Sequence, residues 1–477
     1  MTRSLDPLDS AFVLLEVPGS AMNIGAVIEL DFGDVADPSE RYELIRKNVA
    51  DRLHEIPVLT QRVIRAPFDL TWPALVPDGH FDLDRHISRV ALPSPGTADQ
   101  FDQLISEFLS RPLVRTRPLW QLMIVEGLAD GRVAAALKVH HALADGVSGA
   151  ETFASLFDIS PQVREPAPQP RDVDTESAPS TSMSLLLDAL RRVRDDPALA
   201  VGVVTSWLRR VFDVVHTVVR VALTRGRQRS TPDQPSIFEA RRTSLNGRAG
   251  VEKIYHRMRV PLADAKRAAK YHGASITDFV LATTSGALRR LLADRDEELQ
   301  RDLIAFVPIN VRGDGDIAAM GNRISGMLVA LHTDIDDPVD RLKAIARDSA
   351  KTVGVQRRHG ARIFQEMPKV LGPTMLSLGG KVVDAFGLFD VVPPMANLML
   401  SSVPGPPIPL WLSGHRVVSA APVGPLLGPF SLNVTVLGFE QNLEFGMLGC
   451  AQTMPDLATL RDYLFDEAST LIGTVTE

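Results

Sequence analysis

Residues 140–146 read His140-His141-Ala142-Leu143-Ala144-Asp145-Gly146, and this HHxxxDG run carries the densest reactive chemistry of the chain. Histidine titrates near neutrality, so an imidazole here can take a proton from a hydroxyl and later return it. An acid four residues beyond a histidine can orient the ring, or anchor the loop through an arginine. Gly146 leaves room for a ligand to approach the backbone. The plainer reading is a pair of hydrogen-bonded histidines at a strand end.

Four mechanisms compete for the motif. A metal site using His and Asp would need a third ligand, and neither HExxH nor a further histidine cluster supplies one, so no metal is expected. A serine hydrolase would want GxSxG, which does not occur. Thiol catalysis would rest on Cys450 alone, with nothing nearby in sequence to activate it. What remains is a histidine base without a protein nucleophile. Such a base suits direct transfer, in which a bound hydroxyl attacks an activated acyl group in a ternary complex. With no Walker A pattern and no GxGxxG, no nucleotide cofactor is indicated.

The elements around the motif must hold it rigidly. Residues 132–139 form a short apolar run that reads as a buried strand ending at the histidines, and residues 146–157 read as the helix that follows. Upstream, 23–30 alternates like a strand, while 39–53 and 98–109 have helical spacing. Residues 161–184 are rich in proline and read as a linker. Two helical stretches follow, 185–194 and 198–225, whose polar residues are mostly arginine. A basic amphipathic helix can lie on an anionic bilayer; packing on its own protein with a solvated arginine face is the favoured alternative. After a loop-like stretch, a second unit starts at 251. It has strands near 254–260, 302–310, 323–331, 396–402 and 430–436, and helices near 262–272, 276–293 and 457–472. The division is therefore 1–160, 161–250 and 251–477: an α/β fold of two halves, each with a mixed sheet, with a site between them.

Composition agrees with a soluble, cored protein: 45% hydrophobic and 23% charged residues in 477. The net charge of -7 and pI of about 5.9 argue against a nucleic-acid partner. A single cysteine excludes a disulfide framework, a zinc ribbon and a CxxC pair. The N-terminus carries acids and Pro7 where a signal peptide needs an apolar stretch, and no apolar run is long enough to span a bilayer. A cytoplasmic location is expected.

HHxxxDG resembles the active-site motif of the CoA-dependent acyltransferase superfamily, which includes chloramphenicol acetyltransferase-like enzymes and condensation domains. Further segments resemble bacterial wax ester synthase/diacylglycerol acyltransferases: residues 8–16, LDSAFVLLE; Arg117-Pro118-Leu119-Trp120; residues 244–247, SLNG; residues 276–282, ITDFVLA; residues 307–312, VPINVR; and Val403-Pro404-Gly405-Pro406. The set runs in order over nearly the whole chain. There are departures: Thr277 and Ser402 stand where the family usually has asparagine, Asn23 where histidine is common, and Gly438-Phe439 where a Ser-Tyr pair is usual. An HxxxxD reading of His140 and Asp145, as in glycerol-phosphate acyltransferases, lacks these supporting segments.

The resemblance implies two chloramphenicol-acetyltransferase-like halves and an O-acyltransferase that moves a long-chain acyl group from acyl-CoA to diacylglycerol, to a long-chain alcohol, or to both. His141 would be the general base, acting through Nε2, and His140 would position the loop. Asp145 would be architectural, pairing with an arginine for which Arg312 is the candidate. Glu16, Thr277, Asp278, Arg312, Ser402, Pro404 and Gly405 would lie at the pocket, and Pro118, Leu119 and Trp120 would support it. Acyl-CoA is a substrate, so no cofactor is expected. Contact with a membrane or lipid inclusion is a further expectation. The alternatives are an acyltransferase of the same fold with another alcohol acceptor, or a weakly catalytic relative that binds acyl-CoA or coats lipid inclusions.

Overall fold

The computed structural model describes residues 3–33, 35–144, 154–168, 181–195, 240–297, 302–310, 324–359, 361–387, 390, 393–406, 408–428 and 430–475. In chain order the first part holds β1 (Arg3–Ser4), α1 (Pro7–Leu14), β2 (Asn23–Asp31), α2 (Pro38–Arg52), β3 (Gln61–Ile64), β4 (Ala74–Pro77) and β5 (Ile87–Ala91). It continues with α3 (Ala98–Ser110), β6 (Trp120–Glu126), β7 (Val133–His140) and the short α4 (His141–Ala144). Next is α5 (Ser182–Asp195). Then come β8 (Lys253–Pro261), α6 (Leu262–Tyr271), α7 (Ile276–Asp294), β9 (Ile304–Asn310), β10 (Ile324–Ala330), α8 (Pro338–His359) and α9 (Ala361–Ala385). The chain closes with β11 (Leu398–Val403), β12 (Trp411–Leu412), β13 (His415–Val423), β14 (Leu432–Phe439), β15 (Asn442–Cys450) and α10 (Leu457–Gly473).

Local sequence explains many of these boundaries. Asp37 caps α2 through Ser39 N–H, with Pro38 at the first helical position. Thr97 with Gln100 and Ser275 with Asp278 form reciprocal capping boxes at α3 and α7. Strand β7 is apolar almost throughout, because neighbouring strands flank it and both its faces are covered.

Two six-stranded mixed sheets form, in the orders β12-β13-β2-β7-β6-β5 and β10-β9-β11-β14-β15-β8, with a small sheet β1-β4-β3 beside them. The expected α/β fold of two mixed sheets is therefore present. The division of the chain needs one correction. Residues 411–423, assigned by sequence to the second half, complete the first sheet, because β13 pairs antiparallel with β2 from Arg416↔Asp31 to Val423↔Gly25. Strand β13 also meets the second sheet: Tyr255 donates from its hydroxyl to Pro422 O at 3.1 Å, and a side chain at Gly446 would strike the same carbonyl.

One apolar core fills each half. Ile45, Trp120 and Val139 belong to the first, and Phe279, Leu288, Phe445 and Leu464 to the second. A third cluster joins Phe101 and Ile105 of α3 to Tyr255, Leu448 and Cys450, so the halves share buried apolar surface. Cys450 is buried there, as a packed thiol. The helix expected over 146–157 lies mostly outside the described residues, as do 198–225 and the linker residues 169–180. Among the described residues no helix is long and apolar enough to cross a membrane.

Candidate active site

Strand β7 delivers the histidines. Its last residue, His140, faces Asn23 of β2 across the antiparallel pair. Backbone hydrogen bonds fix the crossing from strand to helix. His140 N–H donates to Leu119 O at 2.9 Å, and His141 N–H donates to Met22 O at 2.7 Å. This gives the Pro118-Leu119-Trp120 element a physical role. Leu119 supplies the carbonyl that holds His140, and all three residues are buried. Trp120 locks the element from behind, with its indole N–H on Leu59 O at 2.8 Å and its carbonyl accepting from His86 Nδ1 at 2.9 Å.

The His140 ring is buried and has both nitrogens engaged. Ala142 N–H donates to Nδ1 at 3.1 Å, so Nδ1 carries the lone pair and the proton sits on Nε2. That Nε2–H points at Glu16 Oε2, 3.3 Å away, and Arg115 closes an ion pair on the same carboxylate. Burial, reinforced by the Arg115 charge, pushes the His140 pKa down to about 3. His140 is therefore a neutral ring fixed in one tautomer, and it positions the motif.

His141 opens α4 and is half-buried, stacked on Phe12 of α1 with ring centroids 4.1 Å apart. Burial first, and the neighbouring His140 second, lower its pKa to about 4. At neutral pH it is uncharged, the state a general base requires. Helix α1 that carries Phe12 packs against both α4 and α9, and Ala11 and Leu14 meet Leu376 of α9. Residues of the second half thus back the corner that holds the motif histidines.

Asp145, Gly146 and Arg312 lie outside the described residues. Thr277 is half-buried in the first turn of α7. Asp278, expected beside the pocket, has its carboxylate committed elsewhere. It accepts from Ser275 N–H and hydroxyl and from the Ser349 hydroxyl at 2.5 Å, tying α7 to α8. Its role here is to cap a helix. Ser402 sits on β11 opposite Val436, and Pro404 is exposed beyond the strand end. Gly405 is fixed by packing: a Cβ there would lie 1.9 Å from Gly438 O. The Gly438-Phe439 departure thus supplies a bare backbone against Gly405 and a buried ring in the first core. Sequence reasoning placed Glu16 at the pocket but missed its bond to His140, and missed Phe12 and Arg115 altogether. Phe12 lay inside the segment 8–16, and Arg115 two residues before the Arg117-Pro118-Leu119-Trp120 element; their contacts with the motif are non-local. Among the described residues one group could hold a cation, Asp302, His332 and Asp334. Its members already bind the protein: His332 Nε2 meets Asp348 at 2.8 Å, and Asp302 accepts from Thr333.

Residues 5–280 match the wax ester synthase/diacylglycerol acyltransferase catalytic domain, and 320–471 match the C-terminal domain of that family. The chain belongs to this family. It is an O-acyltransferase, and His140 to Gly146 is its HHxxxDG motif. Two Mycobacterium tuberculosis proteins assigned as diacylglycerol O-acyltransferases are similar to it. One is 30% identical over 459 residues, covering 96% of this chain and 88% of the relative. The other, tgs2, is 31% identical over 467 residues, covering 96% of both. The wax ester synthase/diacylglycerol acyltransferase of Marinobacter aquaeolei VT8 shares the fold, with a TM-score of 0.68 at 23% identity over 99% of this chain and 100% of that one. The first condensation domain of the calcium-dependent antibiotic synthetase shares it at a TM-score of 0.56 and 16% identity, over 99% and 96%.

Proposed function

We propose that this acyltransferase moves a long-chain fatty acyl group from acyl-CoA to the free hydroxyl of diacylglycerol, and to a long-chain alcohol as a second acceptor. It needs no resident cofactor and works in the cytoplasm at a membrane or lipid-inclusion surface. The observation that carries the reading is the neutral, half-buried His141 beside a His140 held in one tautomer.

Both substrates bind before chemistry. His141 takes the acceptor's O–H proton as that oxygen attacks the thioester carbon. A C–O bond forms and the carbonyl oxygen becomes an oxyanion. Its negative charge raises the basicity of His141, whose resting pKa of about 4 would otherwise make it a weak base. Collapse breaks the C–S bond, and the imidazolium returns its proton to the departing CoA thiolate. General-base catalysis of this type contributes about 10²–10⁴-fold. Holding two substrates in one orientation supplies much of the rest.

The test is CoA release from palmitoyl-CoA, read with a thiol reagent, with dioleoylglycerol and hexadecanol offered separately. Acceptor-dependent release that is lost in a folded His141→Ala variant is the expected result. Release that survives the substitution would end the base assignment. No release with either acceptor, despite acyl-CoA binding, would point to another alcohol or to a lipid-binding role.

A further inference from the structure

We infer that the cleft between the β4–β5 connection and the approach to β6 is a second binding site, separate from the acyl-transfer site, for a phosphorylated sugar or polyol.

The cleft has a volume of about 480 Å³, within the range of small-ligand pockets. Three parts of the chain wall it: Arg62 on β3, residues 77–86 between β4 and β5, and Thr116-Arg117 ahead of β6. Backbone hydrogen bonds preform the middle wall. Asp78 N–H donates to Thr60 O at 3.0 Å, Phe81 N–H to Asp78 O at 3.0 Å, and His86 N–H to Leu83 O at 2.9 Å. Leu122 N–H donates to His86 O at 2.8 Å and ties that wall to β6.

His86 is the residue that points to a ligand. It is only 4% exposed, yet it lines the cleft. Phe81 and Trp120 both stack on its ring, with centroids 5.2 and 4.6 Å away. Its Nδ1 is committed to Trp120 O at 2.9 Å, and a carbonyl only accepts, so Nδ1 carries the proton and Nε2 the lone pair. Among the described residues Nε2 has no hydrogen-bond partner. Burial first, and the Arg117 charge with it, lower the His86 pKa against the opposing pull of Asp78 and Asp82, so the ring is neutral at pH 7. A fixed lone pair at a cavity wall accepts from a hydroxyl and disfavours an anion.

The charges around that acceptor are of two kinds. Arg62 and Arg117 are half-buried and Arg85 is exposed. Arg85 is paired with Asp82 at 3.1 Å, whereas the Arg117 guanidinium makes no ion pair or hydrogen bond among the described residues. A guanidinium fork matches the oxygens of a phosphate. Asp78 accepts from His80 N–H at 3.2 Å, and a carboxylate has capacity for further donors. One ligand satisfies the whole set: a phosphate against Arg117 and Arg62, with hydroxyls donating to His86 Nε2 and Asp78. A bare phosphate leaves His86 and Asp78 without donors, and an unphosphorylated sugar leaves the arginines without an anion.

The cleft is walled off from the motif. Leu119 and Trp120, both buried, stand between them: the Leu119 carbonyl holds His140 N–H and the Trp120 carbonyl holds His86 Nδ1. His86 leads into β5, the edge strand of the first sheet, two strands from β7. At ordinary strand spacing that is about 10 Å.

The test is isothermal titration calorimetry of the full chain with ribose 5-phosphate, in the absence and presence of saturating CoA. One site per chain, with an affinity that CoA leaves unchanged, is the expected result. Arg117→Gln, at a half-exposed position where the fold should survive, should weaken binding about tenfold. Asp78→Asn should weaken ribose 5-phosphate but spare inorganic phosphate. Ribose and inorganic phosphate alone should each bind wild type at least about tenfold more weakly than the joined molecule. Thermal melting without ligand checks that both variants are folded. No saturable binding to wild type, or equal binding by a folded Arg117→Gln, would overturn the inference. Loss of binding in saturating CoA would assign the cleft to the acyl donor and overturn a separate site. Inorganic phosphate binding as tightly as ribose 5-phosphate would overturn the sugar part.

Discussion

Glu16 Oε2 accepts from His140 Nε2 at 3.3 Å and pairs with Arg115, bridging residues 124 positions apart in sequence. The contact fixes the ring whose backbone leads into His141, the proposed base. A Glu16→Gln substitution keeps a carbonyl acceptor for Nε2–H and should retain most activity. Glu16→Leu removes the acceptor and strands Arg115. It should lower kcat about 10–100-fold, the size seen when ring-orienting partners are lost, with little change in KM. Steady-state kinetics on both variants decides it, and an unaltered kcat in Glu16→Leu would make the contact purely structural.

Both motif histidines resist protonation in the folded chain. His141 has a pKa near 4, so kcat/KM should show no acid limb at the ordinary histidine value of about 6.5. The profile is expected to stay flat from pH 8 to about 5 and to fall only below that. A limb centred near 6.5 in short initial-rate assays would contradict a resting His141 that is neutral well below that pH.

The same depression governs stability. Below pH 6.5 the unfolded chain binds protons at His140 and His141 that the folded chain refuses, so stability is full above 6.5 and falls as pH drops toward 4 and 3. For the buried His140 the loss at pH 5 is of order 1–2 kcal/mol. Melting temperatures at pH 7.5, 6 and 5 should decline in wild type and decline less in His140→Gln. Parallel declines would remove His140 as the cause.

Gly405 allows no side chain. The Cβ of alanine would lie 1.9 Å from Gly438 O, and both sides of that contact are backbone, which cannot rotate away. Gly405→Ala should destabilise the chain by about 1–3 kcal/mol, while Pro404→Ala at the exposed neighbour should cost little. Chemical denaturation of the two variants makes the comparison.

Much of the fold was legible where the pattern is local. The apolar run of β7 and the helical spacing of α2, α3, α7 and α10 emerged within a residue or two of their boundaries. Strand β13 was not foreseen, because Pro422 and two alanines weaken its pattern and its partner β2 lies in the other half of the chain. Helix α9 escaped because Pro368, Gly372 and Pro373 interrupt its period, and Gly372, at φ 72°, does break the helix. At the site, HHxxxDG was visible as a string. The Glu16–His140 bond and the Phe12–His141 stack were not, since both are contacts of tertiary structure. The capping role of Asp278 was overlooked, because the carboxylate that sits in a family segment is also the third residue of a capping box.

The join between the halves is itself a charged device. Arg257 of β8 pairs with Glu29 of β2, lies 3.5 Å from Asp102 of α3, and stacks over Phe101 at 4.4 Å, while His256 meets Asp102 at 2.9 Å. Burial alone would raise the Glu29 pKa, but Arg257, Arg259 and Arg132 outweigh it and hold the carboxylate below its usual value. Removing Arg257 leaves the buried Glu29 with Arg132 at 3.1 Å and Asp102 with His256 at 2.9 Å. Arg257→Met should therefore destabilise the chain by less than the roughly 3–5 kcal/mol of a fully orphaned buried charge, about 1–3 kcal/mol, whereas Arg257→Met with Glu29→Leu should recover a large part of that loss. Because the pair spans β2 and β8, the single variant should also loosen the packing of α3 on β8. Hydrogen exchange should then rise first in 98–110 and 253–261. Uniform exchange across both sheets, or no recovery in the double variant, would show that the halves are held by the shared apolar cluster alone.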